Sequence, residues 1–300
     1  MNIVLRYEES FLEAAEHLSK TLAIPALAIG ASIGAPMGVP IGVPAGAPVN
    51  EALDFELFLN AEGLSLRELH HAKVERRPRK SKQRKQGESK RVQKQVQPEI
   101  RCDFVKGELK HRRLYGGGKS QMIVKAIGLH KYKPDIMDLT GGLGRDSYIF
   151  ASAGGRVRMF ERNPYVAALL ADGLRRLCES DDETDQLIAQ RLSLQPVDSL
   201  GHLSDLSEDE KPDVVYLDPM FPERVKSAKV KKSMAFFHHL VGADEDADAL
   251  LPLALSIARY RVVVKRPRHA PPLAGQKPSL SFEGKSTRFD IYPLKKLPVS

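Results

Sequence analysis

From about residue 134 the chain alternates short apolar runs with helix-patterned segments, and no other feature narrows its fold as much. Ile136–Leu139, Arg156–Phe160, Leu192–Val197, Asp213–Leu217, Arg261–Lys265 and Arg288–Tyr292 read as strands. Arg145–Ala153, Pro164–Leu177, Asp185–Arg191 and Ala247–Ile257 read as helices, with Asn163 as an N-cap and Pro164 at the first helical position. Such alternation predicts an α/β fold: a mostly parallel sheet with helices on both faces. In folds of this kind ligands bind beyond the carboxyl ends of the strands, where strand order reverses.

The loops after these strands carry the candidate chemistry. The first reads Asp138-Leu-Thr-Gly141-Gly142-Leu-Gly144-Arg145-Asp146. Its glycines allow a tight turn and let a ligand touch the backbone, and the following helix presents free amides. Glu161 ends the next strand, 23 residues after Asp138. A carboxylate there can accept both hydroxyls of a ribose. The pattern also fits a dinucleotide fold, except that Ser147 takes the third small position, and a simple tight turn is the plain alternative. In the third loop Asp198, followed by Ser199, can accept from an adenine amino group; taken alone it reads as a helix cap.

The strand at 214–217 runs into Asp218-Pro219-Met220-Phe221-Pro222. Pro219 fixes its own backbone and holds Asp218 extended. A carboxylate and a carbonyl side by side can hold the two hydrogens of an exocyclic amine, and Phe221 can stack on the base that bears it. The plain alternative is a strand stopped by proline with a surface Asp.

The N-terminal third differs. Ile3–Arg6 reads as a strand, followed by an amphipathic helix through Phe11, Leu12, Ala15, Leu18 and Leu22. Leu57, Leu59, Leu64 and Leu66 flank the turn Ala61-Glu62-Gly63 and predict a hairpin. Residues 23–49 carry no charge but repeat Gly-x-Pro-x every four residues, which denies a helix its backbone donors and argues against a membrane span. With Glu8, Glu9, Glu13 and Glu16 ahead of it, the stretch does not read as a signal peptide; it reads as a flexible, partly polyproline-like insertion. The formal charge of +8 is local. Residues 73–97 hold eleven Lys or Arg against two acids, a net of +9, so the rest of the chain sums to −1. That tract reads as a solvated linker, with an arm on RNA phosphates as the alternative. Two cysteines cannot by themselves form a disulfide framework or a four-ligand zinc site, and fit a reducing compartment. His238 and His239 lack a ligand pattern, so no metal is expected.

Asp-x-x-Gly-Gly-x-Gly, then Glu161, Asp198 and Asp-Pro-Met-Phe, in that order, resemble a class I S-adenosylmethionine-dependent methyltransferase. Asp-Pro-Met-Phe is similar to the (Asn/Asp)-Pro-Pro-(Phe/Tyr) motif of enzymes that methylate base amines, with Met220 in place of the second proline. His111-Arg112-Arg113, Gly116-Gly117-Gly118, Ala126-Ile127-Gly128, Gly142-Leu-Gly-Arg145-Asp146, Met159-Phe-Glu161-Arg162-Asn163-Pro164 and Val262-Val-Val-Lys265-Arg266-Pro267 narrow it further. Over about residues 100–292 the chain resembles the small-subunit ribosomal RNA methyltransferase J family, which makes N2-methylguanosine in 16S rRNA.

The resemblance implies a Rossmann-like methyltransferase sheet in residues 111–300 and a small α+β domain in 1–110. It implies S-adenosyl-L-methionine as cofactor, held at Gly142, Gly144, Arg145, Asp146, Glu161, Arg162, Asp198, Ser199 and Asp218, with Asp218, Pro219 and Phe221 catalytic. It also implies 16S rRNA or the small ribosomal subunit as partner, and a cytoplasmic setting without membrane or metal. Lys226, Lys229, Lys231 and Lys232 are candidates for RNA phosphates, with a solvated loop as the equal alternative, and His111–Arg113 for a substrate or cofactor-lid contact, with a structural salt bridge as the alternative. The alternatives are an amino methyltransferase on another RNA or DNA base, a non-catalytic RNA-binding assembly factor, and a nicotinamide-dependent dehydrogenase. Ser147 and Asp-Pro-Met-Phe argue against the last.

Overall fold

The computed structural model describes residues 3–29, 54–68, 99–115, 121–203, 206–220, 240–241 and 246–298. The basic tract at 73–97, the Gly-x-Pro-x repeat from 30 onward, Gly116–Gly118, Phe221, Lys226–Lys232, His238 and His239 lie outside these residues. The chain divides into two compact units, Met1–Asn60 with Ser65–Ile100, and Ala61–Leu64 with Arg101–Ser300.

The first unit is built on a five-stranded sheet. Its elements are β1 (Ile3–Tyr7), α1 (Leu12–Leu22), β2 (Ala26–Ala28), β3 (Phe55–Asn60), β4 (Gly63–Glu68) and β5 (Glu99–Arg101), with sheet order β2-β1-β3-β4-β5. The predicted first strand, helix and hairpin are all present. Ile3, Val4, Leu5, Phe55, Leu57 and Leu59 are buried and form its core. The reading of 23–49 as wholly flexible is corrected at its start: Ala26–Ala28 pairs in parallel with Leu5–Tyr7. The Pro25 carbonyl accepts from Leu5 N at 2.9 Å, so the proline serves the ladder as an acceptor although it has no donor.

The second unit holds α2 (Glu108–Tyr115), α3 (Met122–Ile127), β6 (Asp135–Asp138), α4 (Arg145–Ser152), β7 (Arg156–Phe160), α5 (Pro164–Cys178) and α6 (Glu183–Ala189). It continues with β8 (Leu192–Gln195), α7 (Ser199–His202), β9 (Val214–Leu217), α8 (Ala247–Ile257), β10 (Arg261–Pro267), β11 (Leu280–Glu283) and β12 (Thr287–Pro293). The seven strands order as β11-β12-β10-β9-β6-β7-β8. β8, β7, β6, β9 and β10 are mutually parallel, and β12 is antiparallel to β10 and β11. After β6 the chain winds outward through β7 and β8, then returns to lay β9 against the other side of β6. Strand order therefore reverses between β6 and β9, and their carboxyl ends, at Asp138 and Leu217, open onto the crevice where such folds bind ligands.

Alternation along the strands assigns the two faces. Met137, Val215, Leu217, Val262 and Val264 pack with Leu250, Leu251, Ala254 and Ile257 of α8 in one buried cluster. On the other face Phe150 of α4 meets Tyr216 edge-on, ring centroids 4.9 Å apart. α5 starts as its sequence predicts: Asn163 Oδ1 accepts from Tyr165 N (3.0 Å) and Val166 N (3.2 Å), with Pro164 first in the helix. A cap of this kind is worth about 1 kcal/mol. α6 begins two residues before its predicted start, because Asp182 caps it by accepting from Thr184 N at 2.9 Å.

Candidate active site

β6 delivers Asp138 to the crevice with its side chain buried. Ser147 Oγ donates to Asp138 Oδ2 at 2.6 Å, and Thr140 donates to Oδ1 through its N (3.1 Å) and Oγ1 (3.3 Å). Burial pushes this carboxyl up to about 7, against the pull of those donors. The loop then curls through Gly142 and Gly144, both left-handed with φ of +53° and +67°. A Cβ on Gly144 would sit 2.8 Å from Leu170 Cδ1 and 3.1 Å from Phe104 Cζ, so only glycine lets α4 begin here.

Glu161, at the end of β7, ties two loops together. Its Oε2 accepts from Gly142 N and its Oε1 from Asn163 N, each at 2.7 Å. A carboxylate oxygen can accept more than one hydrogen bond. Arg162 Nη1 bonds both oxygens of Asp246 at 2.9 and 2.7 Å. Asp198 is a helix cap, accepting from Leu200 N at 3.1 Å, and it also lines the crevice. Ser199 Oγ donates to the Leu139 carbonyl at 3.3 Å, joining the third loop to the first.

β9 runs out into Asp218, which sits in a polar network. Asp218 N donates to Thr140 Oγ1 at 2.7 Å. Lys265 Nζ donates to Asp218 Oδ2 and to Asp146 Oδ2, each at 2.8 Å. Tyr216 Oη donates to Asp146 Oδ2 at 2.7 Å. Burial raises the Asp218 carboxyl above the usual carboxylate range, while the Lys265 ammonium opposes the rise. Burial disfavours charge on Lys265 as well, but Asp218 and Asp146 outweigh it and hold the ammonium above its ordinary value.

These loops enclose a cavity of about 390 Å³, within the usual span of about 300–1,000 Å³ for small-molecule sites. Of the residues singled out in the sequence, Gly142, Arg145, Asp146 and Glu161 line it, as do Arg162, Asp198, Ser199, Asp218 and Pro219. Gly144 does not line it, packing instead behind the start of α4. Phe221 lies outside the described residues. Thr140 and Lys265 also line the cavity and were given no role in the sequence reading. Lys265 stood in a quoted motif, but only the β9–β10 register sets it beside Asp218.

Of the two readings of His111–Arg113, the structure takes the salt bridge over the lid at Arg113. Its Nη1 lies 2.8 Å from Oδ1 of the fully buried Asp185, so this guanidinium fastens α2 to α6. Among the described residues no group of three or more His, Cys, Asp or Glu is placed to hold a metal ion. No helix among them is long and apolar enough to cross a membrane.

The cavity's chemistry suits an adenosine carrying a charged amino-acid tail. Phe160, Val197 and Leu250 offer apolar wall, Glu161 and Asp198 offer acceptors, and Arg145 opens α4 beside the glycine loop. The family model for SAM-dependent methyltransferases matches residues 79–294. A ribosomal RNA small subunit methyltransferase J from Cellvibrio japonicus is 53% identical over 203 residues, 66% of this chain and 76% of that one. Another from Pectobacterium atrosepticum is 51% identical over 205 residues, 67% of this chain and 82% of that one. This chain belongs to the ribosomal RNA small subunit methyltransferase J family. A crystal structure of a SAM-dependent methyltransferase from Neisseria gonorrhoeae superposes with a TM-score of 0.62 at 33% identity, covering 97% of this chain and 95% of that one. The chain is thus an S-adenosyl-L-methionine-dependent enzyme on a Rossmann-like methyltransferase sheet.

Proposed function

We propose that this enzyme methylates the exocyclic N2 amine of one guanosine in 16S rRNA, giving N2-methylguanosine and S-adenosyl-L-homocysteine. The observation that carries the reading is Asp218, at the switch-point end of β9, in the wall of the same cavity as Glu161 and Asp198. The small-subunit RNA substrate is carried over from the relatives' names.

When bound, S-adenosyl-L-methionine supplies a methyl group already activated on a positively charged sulfur. Glu161 takes the ribose hydroxyls, Asp198 and Ser199 the adenine side, and Gly142, Arg145 and Asp146 the methionine portion, with Gly144 shaping the loop and Arg162 closing the wall. Guanine N2 is a poor nucleophile because its lone pair is delocalised into the ring. Asp218 and the Pro219 carbonyl accept its two hydrogens, draw the nitrogen out of that conjugation and stabilise the positive charge that develops there. Asp218 Oδ1 has no partner among the described residues and is the oxygen assigned to the amine. Holding the amine in line is a proximity effect, with no need for a strong base. Phe221 is assigned the stacking face for the base.

The unit from Arg101 onward carries the catalytic part, beginning ahead of the boundary expected at 111, and the N-terminal unit is an accessory domain, acting on the ribosomal subunit in the cytoplasm. The test is mass mapping of 16S rRNA from cells lacking the protein, followed by methylation of that RNA and of 30S particles with purified enzyme. The reading expects one guanosine to lose its N2 methyl in the cells and regain it in vitro. An unchanged methylguanosine map, or transfer to another base, overturns it.

A further inference from the structure

The register of β9 and β10 sets Val263 opposite Tyr216 and Val264 opposite Leu217. Lys265 therefore falls level with Asp218, and strand alternation sends both side chains to the sheet face that carries α4, away from the α8 cluster. There the Lys265 ammonium meets two carboxylates from different elements, Asp218 after β9 and Asp146 on α4, at 2.8 Å each. Asp146 Oδ2 is held further by the Tyr216 hydroxyl at 2.7 Å. Lys265 itself is 29% exposed on its side chain and lines the cavity. A third carboxyl, Asp138, stands behind the pair, linked to Asp218 through Thr140.

We propose that Lys265 is a positioning residue for methyl transfer: one ammonium clamps Asp146 and Asp218 together, so that Asp218 meets the substrate amine as a carboxylate with Oδ1 facing it. This rests on the proposed amine-binding role of Asp218. Two carboxylates that share one cation stand close enough for each to disfavour ionisation of the other once that cation is gone. A protonated Asp218 would then present a hydroxyl to an amine that itself needs acceptors. Among the described residues, the charged and titratable groups facing Asp218 include Lys265 and Arg266 from β10, Asp146 from α4, Tyr216 from β9 and Asp138 from β6. Lys265 touches both acids. A compact ammonium with three donors suits this bridge better than the planar fork of arginine.

The experiment compares Lys265→Met and Lys265→Arg with the unsubstituted enzyme. Carboxyl-carbon NMR titration of the protein without cofactor reads Asp218 directly. Single-turnover methylation of 16S rRNA across pH, with calorimetry of S-adenosyl-L-methionine, reads the consequence. In Lys265→Met the Asp218 midpoint should rise by about 1–3 pH units. Turnover near pH 7 should fall by about tenfold or more and recover as pH rises, with cofactor affinity unchanged or tighter because a cation has left the pocket. Lys265→Arg should keep the Asp218 midpoint of the unsubstituted enzyme and its pH profile, at reduced turnover. An unmoved Asp218 titration in Lys265→Met, or a loss of turnover equal at every pH, overturns the proposal. If 16S rRNA proves not to be the substrate, the functional reading fails while the NMR titration still decides the role of Lys265.

Discussion

Thr140→Val is the substitution that most sharply separates the wiring of this site from its shape. The change is close to isosteric and removes one hydroxyl. That hydroxyl accepts from Asp218 N at 2.7 Å and donates to Asp138 Oδ1 at 3.3 Å, so it joins the loop after β6 to the loop after β9. Leaving a partly buried backbone donor unsatisfied costs about 1–3 kcal/mol, and the longer bond to Asp138 adds little. Urea denaturation should therefore show a loss of about 1–3 kcal/mol. The kinetic effect follows from placement. Each 1.4 kcal/mol of lost transition-state stabilisation is about a tenfold loss of rate, and a displacement near 1 Å can cost about a hundredfold. Single-turnover transfer should fall by roughly 10- to 100-fold at saturating S-adenosyl-L-methionine. Thr140→Ser, which keeps the hydroxyl, should retain most of both. Unchanged stability and rate in Thr140→Val, or equal damage in Thr140→Ser, would refute the reasoning.

Other expectations follow from the same geometry. The Asp138 carboxyl sits at about 7 instead of 3.8, so the folded chain keeps a proton that the unfolded chain releases above about pH 4. Its contribution to stability is present at low pH and is lost as pH rises from about 4 to 7; Asp138→Asn should flatten that slope in urea titrations. Arg113→Met leaves Asp185 buried beside Lys110 and Ser180 without its guanidinium, and should cost about 3 kcal/mol in denaturation while leaving KM for S-adenosyl-L-methionine unchanged. Gly144→Ala forces a left-handed alanine against Leu170 and Phe104, and should cost about 2–4 kcal/mol with weaker cofactor binding by calorimetry.

Much of this architecture is local in origin, which is why the sequence discloses it. β9 and the Val262–Val264 centre of β10 are continuous apolar runs because both of their faces are covered, and Asn163-Pro164 announces α5 by chemistry that acts within one turn. Glu161 and Asp198 are legible because a loop of fixed length follows each strand end. β2 is hidden because Ala26–Ala28 has weak strand preference and gains its order from a distant partner, β1. Arg113 stands beside His111 and Arg112 in sequence, yet its partner Asp185 is brought to it only by the packing of α2 against α6. Thr140 and Lys265 escape notice for the same reason: neither residue type is unusual, and their meaning comes from three strand ends meeting at one crevice.

The central claim is that Asp218 steers a guanine amine onto an activated methyl group. It is tested most directly by single-turnover transfer of labelled methyl from S-adenosyl-L-methionine to 16S rRNA or 30S particles by Asp218→Ala, with cofactor binding measured in parallel. The account predicts a fall of at least about a hundredfold at saturating cofactor. Near-normal transfer with intact cofactor binding would contradict it.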